Sequence, residues 1–328
     1  MGSIGGGAGS PEERAAGGGP VCVTGSTGYV GSWLVRALLR RGYRVHATAR
    51  DPAKAWQVFS AVEEGKDRLR VFAADMAGEG SFDAAATGCV ALFHVAASMD
   101  LHVSPHVDNI EEHVRTRVLE PATRGTINVL KSCVRAGTVR RVVFTSSIST
   151  MTAATAATGR RKAVVDESCL RAAADVWNTK PIGWVYILSK LMTEEAAFGM
   201  ASIWCRSCCR RWPARDPKLY SLLASVHSRF GCVPLAHIQD VCDAHVFLME
   251  TEQADGRYLC AGGSYPMSQI AQLLLNEDFH GSNPSVVSSK RLRDLGFRFE
   301  YDVEEIIKNS IVQCVDHGFL QDPNSSNC

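Results

Sequence analysis

Short apolar runs alternate along most of the chain with longer stretches in which apolar positions return every three or four residues. "PVCVTG", "YRVHATAR", "RLRVFAAD", "VALFHVAAS" and "RRVVFTSS" read as strands. In "YVGSWLVRALLRRG", Val30, Trp33, Leu34, Ala37 and Leu38 share one helical face, and Gly42 stands where it can end the helix. "EEHVRTRVLEPATRGTINVLKSCVRAG" is a second helical pattern. Strands separated by helices pair in parallel through right-handed crossovers. The expectation is an α/β protein with a Rossmann-type doubly wound parallel sheet. Beyond residue 217 the pattern loosens into "PLAHIQDVCDAHVFLMETE", a helix with its lead-in, "GRYLCAGG", a strand, and "YDVEEIIKNSIVQCVDHG", a terminal helix. These predict a smaller C-terminal part that covers substrate.

One stretch obeys neither period. "GMASIWCRSCCRRWPARD", residues 199–216, crowds tryptophans, cysteines and arginines together. The chain therefore reads as a flexible tail (1–19, rich in Gly, Ala, Ser and Glu), a Rossmann-type domain (20–198), this aberrant segment (199–216), and the remainder of the sheet with the smaller C-terminal part (217–328). Cys205 and Cys208 have the spacing of a metal pair but lack a second pair, so no metal is expected. The arginines belong to no recognised nucleic-acid module. A central parallel strand buries both faces, and arginines are not buried unpaired, so the segment is expected to loop outward. Back-translated with G/C-rich codons and read two nucleotides later, Met200 to Ala214 yields Gly-Ile-Asp-Leu-Val-Ser-Val-Val-Leu-Pro-Thr-Val-Ala-Gly, an apolar strand and loop. An out-of-frame origin is the reading that follows.

Composition narrows the function classes. Net charge is +1 from 35 basic and 34 acidic side chains, so no global field favours nucleic acid or an anionic membrane. With 46% hydrophobic residues the chain can bury a large core. Cys22, Cys89, Cys133, Cys242 and Cys260 stand singly in apolar stretches, as buried thiols of a reducing compartment do. No apolar run is long enough to span a membrane and no secretory signal precedes the first strand, so a soluble, cytoplasmic enzyme is expected.

Candidate chemistry starts at "VCVTGSTGYVGSWL", which places Gly25, Gly28 and Gly31 between a strand and a helix. The first glycine permits the turn, the second lets backbone approach a pyrophosphate, and the third allows close helix packing, with free N–H groups at the helix start. A strand gripping the ribose diol of NAD ends in Asp or Glu, whereas "YRVHATAR" ends in Arg50, whose guanidinium suits the 2′-phosphate of NADP. Asp75, closing "RVFAAD", is a candidate acceptor for the adenine amino group, though it stands where turn residues also do. In "GWVYILSKLMTEEAAF", Tyr186 and Lys190 lie four apart on one helical face. A phenol alone (pKa near ~10) is a poor acid at neutral pH, but a neighbouring ammonium and a cationic nicotinamide favour its anion and fit it for proton transfer. Ser147, at the end of "RRVVFTSSIST", can hydrogen-bond a substrate oxygen.

Glycine loop, strand-end serine, then tyrosine and lysine: this order resembles the extended short-chain dehydrogenase/reductases, and within them the plant dihydroflavonol, anthocyanidin and cinnamoyl-CoA reductases. The resemblance rests on "VTGSTGYVGSWLV", "ATARDP", "GSFDAAATGCVALFHVAAS", "RRVVFTSSIST", "VVDESC", "KPIGWVYILSK", "AHIQDVCDAH" and "GRYLCAGG". It implies NADPH-dependent reduction of a small aromatic, flavonoid-type or related phenylpropanoid substrate, with Ser147, Tyr186 and Lys190 catalytic. It places Gly25, Gly28, Tyr29, Val30, Gly31, Arg50, Asp75, Met76, Val95, Ala96, Ala97, Tyr186 and Lys190 around NADP(H), and Ser147, Thr152 and Tyr186 at the substrate. Family members often carry a lysine where this chain has Gln57, with Lys54 nearer, and dihydroflavonol reductases often carry Asn where it has Thr152; the latter favours an anthocyanidin reductase-like branch. Stretches that normally cover substrate are shortened before "DPKLY" and near "QLLLNEDFH". The alternative is therefore an impaired isoform that at most binds NADP. A sugar-nucleotide epimerase is disfavoured by Arg50. His94 and His237, beside apolar residues, read as structural.

Overall fold

The computed structural model describes residues 18–97, 108–153, 161–200, 205–208, 226–275 and 285–316. It divides into two compact units, Met1–Ala97 with Arg124–Phe144, and Ser98–Thr123 with Thr145–Cys328. The expected tail lies almost wholly outside the described residues.

The first unit is built on strands β1 (Val21–Thr24), β2 (Val45–Ala49), β3 (Leu69–Ala73), β4 (Ala91–His94) and β5 (Arg141–Ser146), whose last two residues fall in the second unit. All pair in parallel in the order β3-β2-β1-β4-β5, with Val21 in register with Val45 and Ala91. The doubly wound expectation is met: strand order reverses beside β1, where such sheets bind ligands at their C-terminal ends. Every residue of β1, β2 and β4 is buried, so these strands show no alternation. Between them run α1 (Tyr29–Arg40), α2 (Pro52–Val58), α3 (Asp83–Ala86) and α4 (Glu120–Ala136). Helix α1 buries Leu34, Val35 and Leu38 completely. Truncating one such leucine to alanine typically costs ~2–5 kcal/mol. Gly42 follows this helix with φ +83°, a conformation glycine adopts without strain. The Ser132 hydroxyl and the Arg135 guanidinium of α4 converge on the Asp83 carboxylate at 2.5 and 2.7 Å and hold its pKa below the usual carboxylate range.

In the second unit a π-helical stretch, Val114–Leu119, precedes Pro121, whose missing N–H breaks the α-helical ladder. It packs against α6 (Trp184–Met200) with α5 (Ala173–Thr179): Val114, Leu119, Val176, Ile187, Leu188 and Leu191 form one buried cluster. A second cluster joins Met151, Val165, Phe230, Cys232, Leu259 and Val287. Strand β6 (Val164–Val165) belongs to it. Strand β7 (Cys205–Cys208) comes from the aberrant segment. β8 (Val233–Leu235), α7 (Ile238–Glu250), β9 (Gly256–Leu259), β10 (Gly263–Tyr265), β11 (Val286–Val287) and a helix at Val303–Asp316 follow.

One expectation is corrected here. Residues 199–216 do not simply loop outward, because Cys205–Cys208 pair in parallel with β9, Cys205 beside Gly256 and Cys208 beside Leu259. Strand pairing uses backbone N–H and C=O groups, which every non-proline residue supplies whatever its side chain. Residues 201–204 and 209–216 lie outside the described set.

Candidate active site

In the first unit the chain leaves β1 into Gly25, whose φ of +65° turns it sharply. A Cβ on Gly25 would stand 2.8 Å from Ala96 Cα, and one on Gly31 only 2.2 Å from Gly25 O. Both positions thus require glycine, one because the loop after β4 crosses it, the other because α1 packs on the loop. Gly28 differs. Its φ is −77° and a Cβ there would meet only Gly25 O, at 3.3 Å, so the fold alone does not demand glycine at that point. Gly28 is also the N-cap of α1 and offers no side-chain cap, and the first turn holds no acidic residue. Tyr29 and Val30 open this helix. A loop of this shape fits the pyrophosphate of a dinucleotide, whose oxygens would take the N–H groups no carboxylate has claimed.

The predicted residues around this cradle are placed as follows. Arg50, exposed, directly follows β2. Its neighbour Asp51 is committed to capping α2, accepting from Ala53 N at 2.9 Å and Lys54 N at 3.3 Å. The nearest acid therefore serves the helix, and a cation is left at the strand end. Lys54 and Gln57 are exposed on α2. Asp75 is also exposed, and its Oδ1 accepts from Ala77 N at 2.9 Å, which gives it the turn role. Met76 is held by α4: Asn128 Nδ2 donates to Met76 O at 2.9 Å, and Gly125 makes room for the Met76 side chain. Val95, Ala96 and Ala97 follow β4 and are half-buried.

His94 explains how that last segment is fixed. Thr24 Oγ1 lies 2.9 Å from His94 Nδ1 and accepts from Ala96 N at 3.1 Å, while His94 Nε2 lies 3.3 Å from Thr126 Oγ1. Both ring nitrogens are thus engaged by threonine hydroxyls, one from β1 and one from α4. The imidazole is a buried tie between β1, β4 and α4, the structural role its apolar setting suggested. Thr24 and Thr126 escaped the sequence reading because nothing local ties a threonine to a histidine 70 or 32 residues away.

In the second unit α6 carries Tyr186, half-buried, and one turn later Lys190, 8% exposed. Lys190 Nζ donates to Thr145 O at 3.5 Å, at the end of β5. Ser147, two residues on, is fully buried and caps the 3-10 turn Ile148–Thr150, its Oγ accepting from Ser149 N at 3.2 Å and Ser149 Oγ at 2.9 Å. α6 packs on that turn. Thr152 lies just beyond, its N–H donating to Cys169 O at 2.9 Å. Thus Lys190 is tied to the strand end that leads into Ser147. His237 caps α7, accepting from Gln239 N at 3.2 Å, and stacks on Tyr301 at 3.7 Å, again a structural role.

The family model for the NAD dependent epimerase/dehydratase family matches residues 21–203, ending inside the aberrant segment. The chain belongs to that family. Among family members, a provisionally named anthocyanidin reductase of Ginkgo biloba is 33% identical over 92% of this chain and 95% of its own length. Dihydroflavonol 4-reductase of Arabidopsis thaliana is 33% identical over 92% and 83%. The crystal structure of vestitone reductase from alfalfa superposes with a TM-score of 0.73 at 29% identity, covering 92% of this chain and all of the other. The resemblance to extended short-chain reductases of the dihydroflavonol and anthocyanidin type is thereby borne out. Within this family-typical framework, the residues around α6 that sequence reasoning passed over are Thr145, Ser146, Glu194, His245 and Arg257. Only Glu194 had a local signal: a carboxylate four residues after Lys190, on the helix face that carries the tyrosine and the lysine.

Proposed function

We propose that this chain is an NADPH-dependent reductase of flavonoid-type substrates, anthocyanidins or dihydroflavonols, or of related phenylpropanoids, with Tyr186 as proton donor. The observation that carries the reading is Lys190, one helical turn from Tyr186 and hydrogen-bonded to the strand end that leads into Ser147. The cofactor is NADP(H). When bound, it supplies the hydride.

The chain's own residues do the rest. Gly25, Gly28 and Gly31 with the α1 N-terminus hold the pyrophosphate, and Arg50 takes the 2′-phosphate while Asp51 stays engaged as a cap. Ser147 donates to the substrate oxygen and Tyr186 protonates it as negative charge develops there. Lys190 favours the resulting phenolate and holds the ribose. Thr152, shortly after Ser147, contacts the aromatic substrate.

Purified protein assayed with NADPH against anthocyanidin and dihydroflavonol panels tests this. Turnover is expected, and Tyr186→Phe should lower kcat by about 10²–10⁴-fold while leaving NADPH affinity nearly intact. An undiminished Tyr186→Phe variant would remove the proton-donor role. NADPH binding without any turnover by the wild-type chain would favour the impaired-isoform reading instead.

A further inference from the structure

Glu194 is an acid where acids are seldom found. It is only 2% exposed, in a helix that also buries Ile187, Leu188, Leu191 and Ala197. A buried carboxylate persists when it is paired and its remaining lone pairs are met. Each carboxylate oxygen has a donor: Arg257 Nη2, from β9, donates to Glu194 Oε2 at 2.6 Å, and the Ser146 hydroxyl donates to Oε1. The Arg257 guanidinium also lies over the ring of Phe198, 5.6 Å from its centroid, one turn further along α6.

The direction of these contacts matters more than their number. Tyr186, Lys190 and Glu194 follow at four-residue steps on one face of α6. Consecutive residues of β5 meet consecutive turns of that face: Thr145 O accepts from Lys190, and Ser146 donates to Glu194. Ser147 is next in the chain. Thr145 is held from its other side as well, because its hydroxyl lies 2.8 Å from His245 Nε2, while His245 Nδ1 lies 2.7 Å from Val241 O. With Nδ1–H donated to Val241, Nε2 is the acceptor and the Thr145 hydroxyl points to it. An apolar pair of similar volume would pack α6 as well as this ion pair or better, but would not fix the rotation of the helix about its axis.

We propose that Glu194, clamped by Arg257 and Ser146, is a positioning residue that sets the register of α6 on the end of β5 and so places Tyr186 and Lys190 relative to Ser147. The inference rests on the catalytic reading of Tyr186 and Lys190 given above.

Two variants of the full chain test it: Glu194→Gln, which keeps size and the acceptor for Ser146 but loses the charge, and Glu194→Leu with Arg257→Met, which keeps apolar volume and loses direction. The double variant should melt within a few degrees of wild type, bind NADPH several-fold more weakly by fluorescence titration, and lose about 10- to 100-fold in kcat with a smaller change in KM. Glu194→Gln should show the same changes to a smaller degree, and it decides the matter if the double variant does not fold. Unchanged NADPH affinity and an unchanged kcat per folded molecule would overturn the proposal. If the wild-type chain turns over no substrate, the functional reading fails by itself, and the register argument then stands or falls on the NADPH titration alone.

Discussion

The three glycines of the loop do different work, and single alanines separate it. At Gly31 a Cβ would sit 2.2 Å from Gly25 O, so Gly31→Ala must push α1 off the loop. Both melting temperature and NADPH affinity should fall, the latter by more than about tenfold, as titration and thermal melts will read. Gly28→Ala meets Gly25 O at 3.3 Å with an ordinary φ, so the fold should survive. If the loop cradles a pyrophosphate, NADPH binding alone should weaken, because the new methyl group stands where backbone must approach phosphate. Equal affinity in Gly28→Ala would count against the cradle. Arg50 invites a similar test: Arg50→Gln should narrow the preference for NADPH over NADH by about tenfold, since Asp51 is occupied as a cap and the guanidinium is the group at this position that suits a 2′-phosphate. Gly25 and Gly31 were legible because each answers a local constraint of turn or packing, and Gly28 through its spacing between them. Asp75 was ambiguous for the same reason, and its contact with Ala77 N shows the turn role. The His94 tie was legible only as "buried", since its partners lie on other elements.

At the scale of elements, the apolar pattern marked α1 and all five strands of the first unit, most directly β1, β2 and β4, whose every residue is buried. The π-helical stretch before Pro121 was not read, although a proline inside a helical pattern is its cause. Strand β7 was not legible because its arginine and cysteines carry no strand pattern, whereas pairing with β9 needs only backbone N–H and C=O groups. The pairing with β9 nonetheless makes the segment a strand of the sheet. Replacing residues 200–214 by the out-of-frame peptide Gly-Ile-Asp-Leu-Val-Ser-Val-Val-Leu-Pro-Thr-Val-Ala-Gly should therefore keep the β9 partner and add burial. Several buried aliphatic side chains contribute roughly 1.5–3 kcal/mol each, so the melting temperature should rise by several degrees and the transition sharpen. A replaced chain that melts no higher would sink the idea that the segment substitutes for a lost strand. Sequencing the transcript checks its origin independently, since codons unable to encode that peptide exclude it.

For the whole molecule, the buried imidazoles set a direction for stability against pH that sequence could not supply, because it depends on which histidines lose water. Burial pushes the pKa of His245 down to about 4, and burial also lowers His46 and His237 from the ordinary histidine value. Groups of this kind are neutral in the fold and charge on unfolding. Between the unfolded value near ~6.5 and the lowered folded value, the unfolded chain binds more protons, so their stabilisation is complete above ~6.5 and is lost as pH falls. Asp240 and Glu167, raised chiefly by burial, act in the opposite sense, but from the carboxylate range upward and thus later in an acid titration. Moving from pH 7.5 to 5.5 should accordingly cost on the order of 1 kcal/mol through His245 alone. That corresponds to a fall in melting temperature of roughly 2 °C, with His46 and His237 adding to it. His245→Gln removes the largest of these contributions while keeping an acceptor for the Thr145 hydroxyl, and its melting temperature should depend less steeply on pH over that interval. If wild type and His245→Gln lose stability in parallel from pH 7.5 to 5.5, His245 is not the buried neutral base described here. The tie from α7 through Thr145 to Lys190 would then need another donor and acceptor assignment.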